Sequence, residues 1–274
     1  MSAHATPPSS PAYAVIQDHP ERIRFPLMEQ PFVGFLLAFI AGTLNAWTLA
    51  NASTFSTVQS GNVLSSGYWL IQGDWEKFQF PFISVIAFGV GSALAGVLMT
   101  AFLRSGRTFT VGILSAQVAL LVILGTAAMT LIGTTPVPYG GALDLTALPE
   151  EHAQYIAYAI SFVAGAQGNA FHKNHGMLYG AVAVTFVVQM AFNFLVQAAF
   201  SKEGINKTPN LKWAGIFFLT LLGFAGGGGI GFLADHLVNG LSIFLAAAVA
   251  LCVLIAALAM KRKNVDPTAG GTFA

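Results

Sequence analysis

The groups most out of place in this sequence are carboxamides set into long apolar runs. Asn45, Gln59 and Asn62 lie in one run, and Gln167, Asn169, Gln189 and Asn193 in another. An amide offers donors and an acceptor, bears no charge and does not titrate, so a group of them can hold a solute by hydrogen bonds but cannot pass protons. Gln59 and Asn62 are three residues apart and Gln189 and Asn193 four apart, which puts each pair on one side of a helix. An unpaired amide away from water costs roughly 2 to 7 kcal/mol, so these groups must meet each other, freed backbone, water or a solute. Glycines stand close by. Gly42, Gly61, Gly165 and Gly168 are the places where a helix could unwind and present bare carbonyls.

Other chemistries lack their residues. Gly226 to Gly231 satisfies G-x-G-x-x-G but sits inside an apolar run with no strand before it, so it reads as a helix-packing face or hinge rather than a dinucleotide loop. His172 and His175 flank Lys173 with no acid or cysteine nearby, so no metal site is expected, and no cofactor is implied. There is no G-x-S-x-G, no H-E-x-x-H, no P-loop and no carboxylate pair within an apolar run, and the chain is not expected to be an enzyme.

The elements that must position the amides follow from composition. Of 274 residues, 55% are hydrophobic and 8% charged, and the mean hydropathy is +0.69. A soluble domain carries roughly 25% charged residues. With only 12 Lys+Arg and 11 Asp+Glu, no polar exterior can be built, so the surface faces the lipid bilayer and the chain is an all-α polytopic membrane protein. A net charge of +1 without a basic patch argues against nucleic acid as a partner. The single cysteine, Cys252, excludes an intrachain disulfide.

Residues 1–30 are polar and Pro-rich, lack the apolar centre of a cleavable signal, and read as a disordered cytoplasmic arm. Four uncharged runs, 80–103, 109–133, 213–234 and 241–260, are each long enough for a plain span. Two longer regions, 31–72 and 152–200, are interrupted by polar residues and read either as two crossings each or as one crossing plus a broken or re-entrant piece. One net crossing each gives six in all, with ten Lys/Arg inside and only Lys77 outside; eight crossings leave nine inside and three outside, so the positive-inside rule favours six. The first membrane half is then 31–133, the external loop 134–151, the second half 152–260 and the cytoplasmic tail 261–274. Both termini lie inside in either arrangement.

The two long regions share a segment. Phe39-Ile-Ala-Gly42, followed by Asn45-Ala46, matches Phe162-Val-Ala-Gly165, followed by Asn169-Ala170. Three crossings per half would make this a 3+3 inverted repeat, the plan of many secondary transporters. The two regions hold twelve Asn/Gln, whereas the four plain spans, of equal total length, hold only Gln117.

The segments Ala41 to Ala46, Gly61-Asn62 and Phe162 to Ala170 resemble the YoaK family of bacterial integral membrane proteins, over residues 31 to 260. The resemblance implies about six transmembrane helices and a bacterial inner-membrane location, without a substrate. The family commonly has aspartate where Asn45 stands, and a Thr-Gly pair where Gln189-Met190-Ala191 stands. Asn45 cannot titrate, so proton coupling at that position is not open to this chain.

The expectation is a transporter or facilitator of a small neutral, zwitterionic or anionic solute, its path lined by the seven named amides. The alternative is a non-transporting scaffold or assembly partner whose amides bind other helices. A homo-oligomer fits either.

Overall fold

The computed structural model describes residues 25–139, 148–182, 184–260 and 265–267. Among the described residues, eight α-helices carry the fold. In the first half these are α1 (Pro31–Ala52), α2 (Gln59–Gln72), α3 (Trp75–Arg104) and α4 (Thr110–Ala127), the last running on as a π-helical turn, Ala128–Ile132. In the second they are α5 (Glu151–Ala170), α6 (Val184–Phe200), α7 (Asn210–Leu237) and α8 (Leu241–Ala259). Between α5 and α6 lies a two-stranded hairpin, β1 (Lys173–Asn174) and β2 (Met177–Leu178). Five helices, α1, α3, α4, α7 and α8, are long and apolar enough to cross a membrane, and α6 is a shorter apolar helix. Residues 1–24 of the expected arm, 140–147 of the expected external loop and, in the expected tail, 261–264 and 268–274 lie outside the described residues.

Helix ends follow the local chemistry. Pro31 occupies the first turn of α1, where its missing N–H is not needed. Gly73, at φ 72°, ends α2, and the Asp74 carboxylate then accepts the Lys77 N–H at 3.0 Å to start α3. Asp235 of α7 accepts the Gly240 and Ser242 N–H groups and so caps α8. The start of α4 is capped from far along the chain, by Asp266, which accepts from Phe109 and Thr110 at 3.2 and 3.0 Å.

The order of contacts along each helix gives its direction. Gly223, Gly227 and Gly231 of α7 meet Phe35, Phe39 and Thr43 of α1 in ascending order, so α1 and α7 are parallel. Ser84, Phe88 and Ser92 of α3 meet Ser161, Gly165 and Asn169 of α5 likewise. Gly125 of α4 lies against Phe244 and Gly240 against Met129, so α4 and α8 are antiparallel. Gln167 near the end of α5 reaches Leu37 near the start of α1, while Asn174 beyond α5 reaches Gly34, so α1 and α5 are antiparallel too. In chain order α1, α3, α4, α5, α7 and α8 therefore alternate in direction. The short helices α2 and α6 pack on α3 and α7 respectively. In the most apolar stretch of α1, 78% of residues are buried, against 17% for α3, so α1 forms the centre and α3 the lipid-facing rim.

The helix breaks fall elsewhere than at the glycines. Within the two long regions the described non-helical segments are residues 53–58 and 171–182, whereas Gly42, Gly165 and Gly168 sit within unbroken helices and Gly61 in the first turn of α2. The reason is packing. A Cβ at Gly42 would run into the Phe224 carbonyl, and one at Gly165 into the Phe88 carbonyl. These glycines let backbones touch, which is how membrane helices gain dispersion contact. Gly227 and Gly231 of the glycine run do the same against α1, within a continuous α7. Leu27–Glu29, expected to belong to the arm, form a 3-10 turn with Met28 and Glu29 buried.

Candidate functional site

Residues 53–58 leave the helical ladder, and inside a membrane bundle their peptide groups need other partners. Two asparagines supply them. Asn45 Oδ1 accepts from the Ser56 N–H at 3.0 Å and the Thr57 N–H at 3.2 Å, and its Nδ2 donates to Thr57 Oγ1. Asn62 Oδ1 accepts from the Phe55 N–H at 3.1 Å and Thr54 Oγ1 at 3.0 Å, while its Nδ2 donates to the Phe55 carbonyl at 2.6 Å. Thus Asn45 and Asn62 stand in for the backbone partners of three consecutive residues. Gln59 completes the knot, accepting from Asn62 Nδ2 at 2.9 Å and donating to the Ser56 carbonyl at 2.9 Å. Ser84 of α3, bonded to the Phe55 carbonyl and to Ser161 of α5, joins it to the second half.

Beside this knot is a cavity of about 380 Å³ between α2 and α3, bordered by Ser53, Asn62, Ser65, Tyr68, Trp69 and Lys77 among others. That volume suits a small solute. Pro81 of α3 is also in its wall and lacks the N–H that would bind the Lys77 carbonyl. Lys77 reaches over the Trp69 ring, 4.7 Å from its centre, and lies 3.6 Å from the Asp74 carboxylate.

The remaining expected path residues do not join this knot. Gln167 is buried and donates to the Leu37 carbonyl at 3.1 Å, and Asn169 donates to the Ser92 carbonyl at 2.8 Å. Gln189 and Asn193 share a face, as their spacing predicts, but that face of α6 is exposed. Asn193 bonds Gln197 at 3.1 Å. The carboxamides of the two halves therefore do not converge on one cavity. The hydroxyls of Thr54, Ser56, Thr57, Ser84 and Ser161 escaped the sequence reading. The Ser/Thr-rich run 53–57 directly after an apolar helix was the available signal.

The second break is built differently. His175 and Gly176, with φ of 51° and 78°, form the two-residue turn of the hairpin. Glu29 anchors it, its carbonyl accepting the His175 N–H at 2.8 Å and its carboxylate the Gly176 N–H at 2.7 Å. Burial lowers the pKa of Lys173, against the opposing pull of Glu29. His175 packs on Phe25 and Trp213. Burial and the nearby Lys212 charge, partly offset by Glu29, bring its pKa down to about 4. The folded state thus binds fewer protons than the unfolded one between pH 6.5 and about 4, so stability should fall as pH drops through that window. Thermal melts across it should show a smaller pH dependence for His175→Gln than for the parent; equal slopes would remove His175 from the account.

The sequence profile described as "Protein of unknown function (DUF1275)" matches residues 33–258. The YoaK family is a DUF1275 family, so the resemblance seen in the short motifs extends over most of the chain. No curated protein and no solved structure matches.

Proposed function

The chain belongs to the DUF1275 family, and we propose that it is a transporter or facilitator of a small neutral, zwitterionic or anionic solute, working where α1 gives way to α2. The observation that carries this is the non-helical segment 53–58, held open by Asn45 and Asn62 beside the 380 Å³ cavity. Broken helices next to a cavity are where membrane transporters bind their cargo. Of the seven expected path amides, Asn62 borders this cavity, and Asn45 and Gln59 hold the segment beside it.

Six net crossings, with α2 and α6 as partial helices, account for the alternating directions. Two equivalent contacts support a 3+3 inverted repeat. Gly42 abuts the Phe224 carbonyl and Gly227 the Phe39 carbonyl; in the other half Gly165 abuts the Phe88 carbonyl and Gly91 the Phe162 carbonyl. The same F-x-x-G geometry recurs with α1·α7 exchanged for α5·α3. The positive-inside rule puts both termini in the cytoplasm, in a bacterial inner membrane. A reporter placed near residue 140 should read outside and one between Arg104 and Arg107 inside; the reverse pair would mean eight crossings.

Transport itself is tested by flux of a panel of neutral and zwitterionic solutes into proteoliposomes. Ser65→Trp fills the cavity without touching the asparagine knot, and flux should fall to the empty-liposome level. Unchanged flux would move the path elsewhere.

One observation favours the assembly reading alongside. Thr185, Gln189, Asn193 and Gln197 follow one another at four-residue spacing along the exposed face of α6. Apolar side chains, Phe192 and Val196 among them, are exposed beside it. An amide stripe is self-complementary, each group both donor and acceptor, and it suits a second copy of the chain across a two-fold axis. Crosslinking in bilayers should give dimers that disappear in Gln189→Leu/Asn193→Leu; persistence of the dimer would assign another face.

A further inference from the structure

Gln117 is the lone amide of the four plain spans, and neither the solute cavity nor the α6 stripe uses it. It is 4% exposed and pairs with Gln167, donating from Nε2 to Oε1 at 2.6 Å. The orientation of this pair is dictated by backbone. Gln167 must turn its Nε2 to the Leu37 carbonyl, which leaves its Oε1 facing Gln117. Gln117 must then answer with its Nε2, and its own Oε1 is turned away with no hydrogen-bond partner. A buried acceptor of this kind lacks a donor.

The same two glutamines border a cleft of about 330 Å³ between α3, α4 and α5. Apart from them its walls are apolar, among them Leu94, Leu98, Phe102 and Leu120, and among the described residues no charged one borders it. Leu94, Leu98 and Leu120 are 45%, 41% and 37% exposed, so the cleft opens sideways onto lipid. It exists because α3 and α4 splay apart, whereas their counterparts α7 and α8 pack together. At about 30 Å³ per water-sized group, it holds roughly ten heavy atoms.

We propose that this cleft is a lateral binding site for an uncharged lipophilic alcohol drawn from the bilayer, its hydroxyl donating to Gln117 Oε1 and its apolar body lying along α3 and α4. A charged headgroup finds no counter-charge there, and a pure hydrocarbon leaves the acceptor unsatisfied. The inference stands apart from the transport reading, since it needs neither the 53–58 segment nor solute flux.

The test is photolabelling in phosphatidylcholine nanodiscs with a diazirine-bearing ten-carbon alcohol, beside the matching alkane probe without the hydroxyl. The alcohol should label α3 and α4 around Leu94, Leu98 and Leu120 saturably, with competition by 1-decanol. Gln117→Leu should weaken that labelling about tenfold and leave the alkane signal unchanged. Ala116→Trp, which blocks the cleft while keeping the glutamine pair, should abolish it and serves as the second variant if Gln117→Leu fails to fold. Labelling that does not saturate, that spreads evenly over the lipid-facing helices, or that survives both folded variants would overturn the proposal.

Discussion

Gly91→Ala and Gly165→Ala should each destabilise the protein by about 3 kcal/mol or more, at the upper end of what overpacking costs. Both place a methyl group against a carbonyl of the facing helix, Phe162 for Gly91 and Phe88 for Gly165. Backbone cannot swing aside as a side chain can, so α3 and α5 must separate along their shared length. Separation also strains the Ser84 to Ser161 and Asn169 to Ser92 bonds on either side. Gly227→Ala should behave alike at the α1 and α7 contact, where the Phe39 carbonyl is in the way. Gly89 and Gly226 are the controls. Nothing lies within 4 Å of a Cβ at either, and alanine there should be neutral or gain up to about 1 kcal/mol of helix propensity. Thermal unfolding with size-exclusion profiles reads all five. Gly91→Ala as stable as Gly89→Ala would contradict the close α3 and α5 contact.

The second large effect belongs to Asn62, and it separates Asn62 from Asn45. Asn62→Leu strands the Phe55 N–H and Thr54 Oγ1, and leaves the Phe55 carbonyl to Ser84 alone, in a site 1% exposed. At about 1 to 3 kcal/mol for each orphaned group, the loss is several kcal/mol and the 53–58 segment comes loose. Asn62→Asp should rescue little, because its second oxygen would face the Phe55 carbonyl, which has no proton to give. Asn45→Asp should be tolerated. Its lost Nδ2 donor served the Thr57 hydroxyl, which can rotate and donate instead, and the Ser56 and Thr57 N–H groups still find an oxygen. That fits the aspartate common at this position in the resembled family. Melts and limited proteolysis of residues 53–58 check the series, and an Asn45→Asp loss equal to that of Asn62→Asp would refute the assignment of donors and acceptors.

Much of the fold was legible because burial in lipid is written in composition. The uncharged runs at 80–103, 109–133, 213–234 and 241–260 map onto α3, α4, α7 and α8, since a helix that must face acyl chains cannot carry charge. The shared Phe-x-Ala-Gly segment was also legible, though its role was misread. Glycine beside an amide suggests an unwound helix, but whether glycine bends a helix or admits a neighbour depends on what stands opposite. Opposite Gly42 and Gly165 stand carbonyls of helices nearly 200 residues later and nearly 80 residues earlier.

Residue type and spacing by themselves established a helical membrane protein, the two interrupted regions and the amides that set them apart, and the short motifs carried the family resemblance. Tertiary structure alone decided which amides act together. Asn45 and Asn62 close on one broken segment, Gln167 and Gln117 leave one buried acceptor without a partner beside a lipid-facing cleft, and Gln189 and Asn193 look outward. The physical reason is that an amide in hydrocarbon always demands a partner, while the identity of that partner depends on helix directions and rotations set by distant contacts.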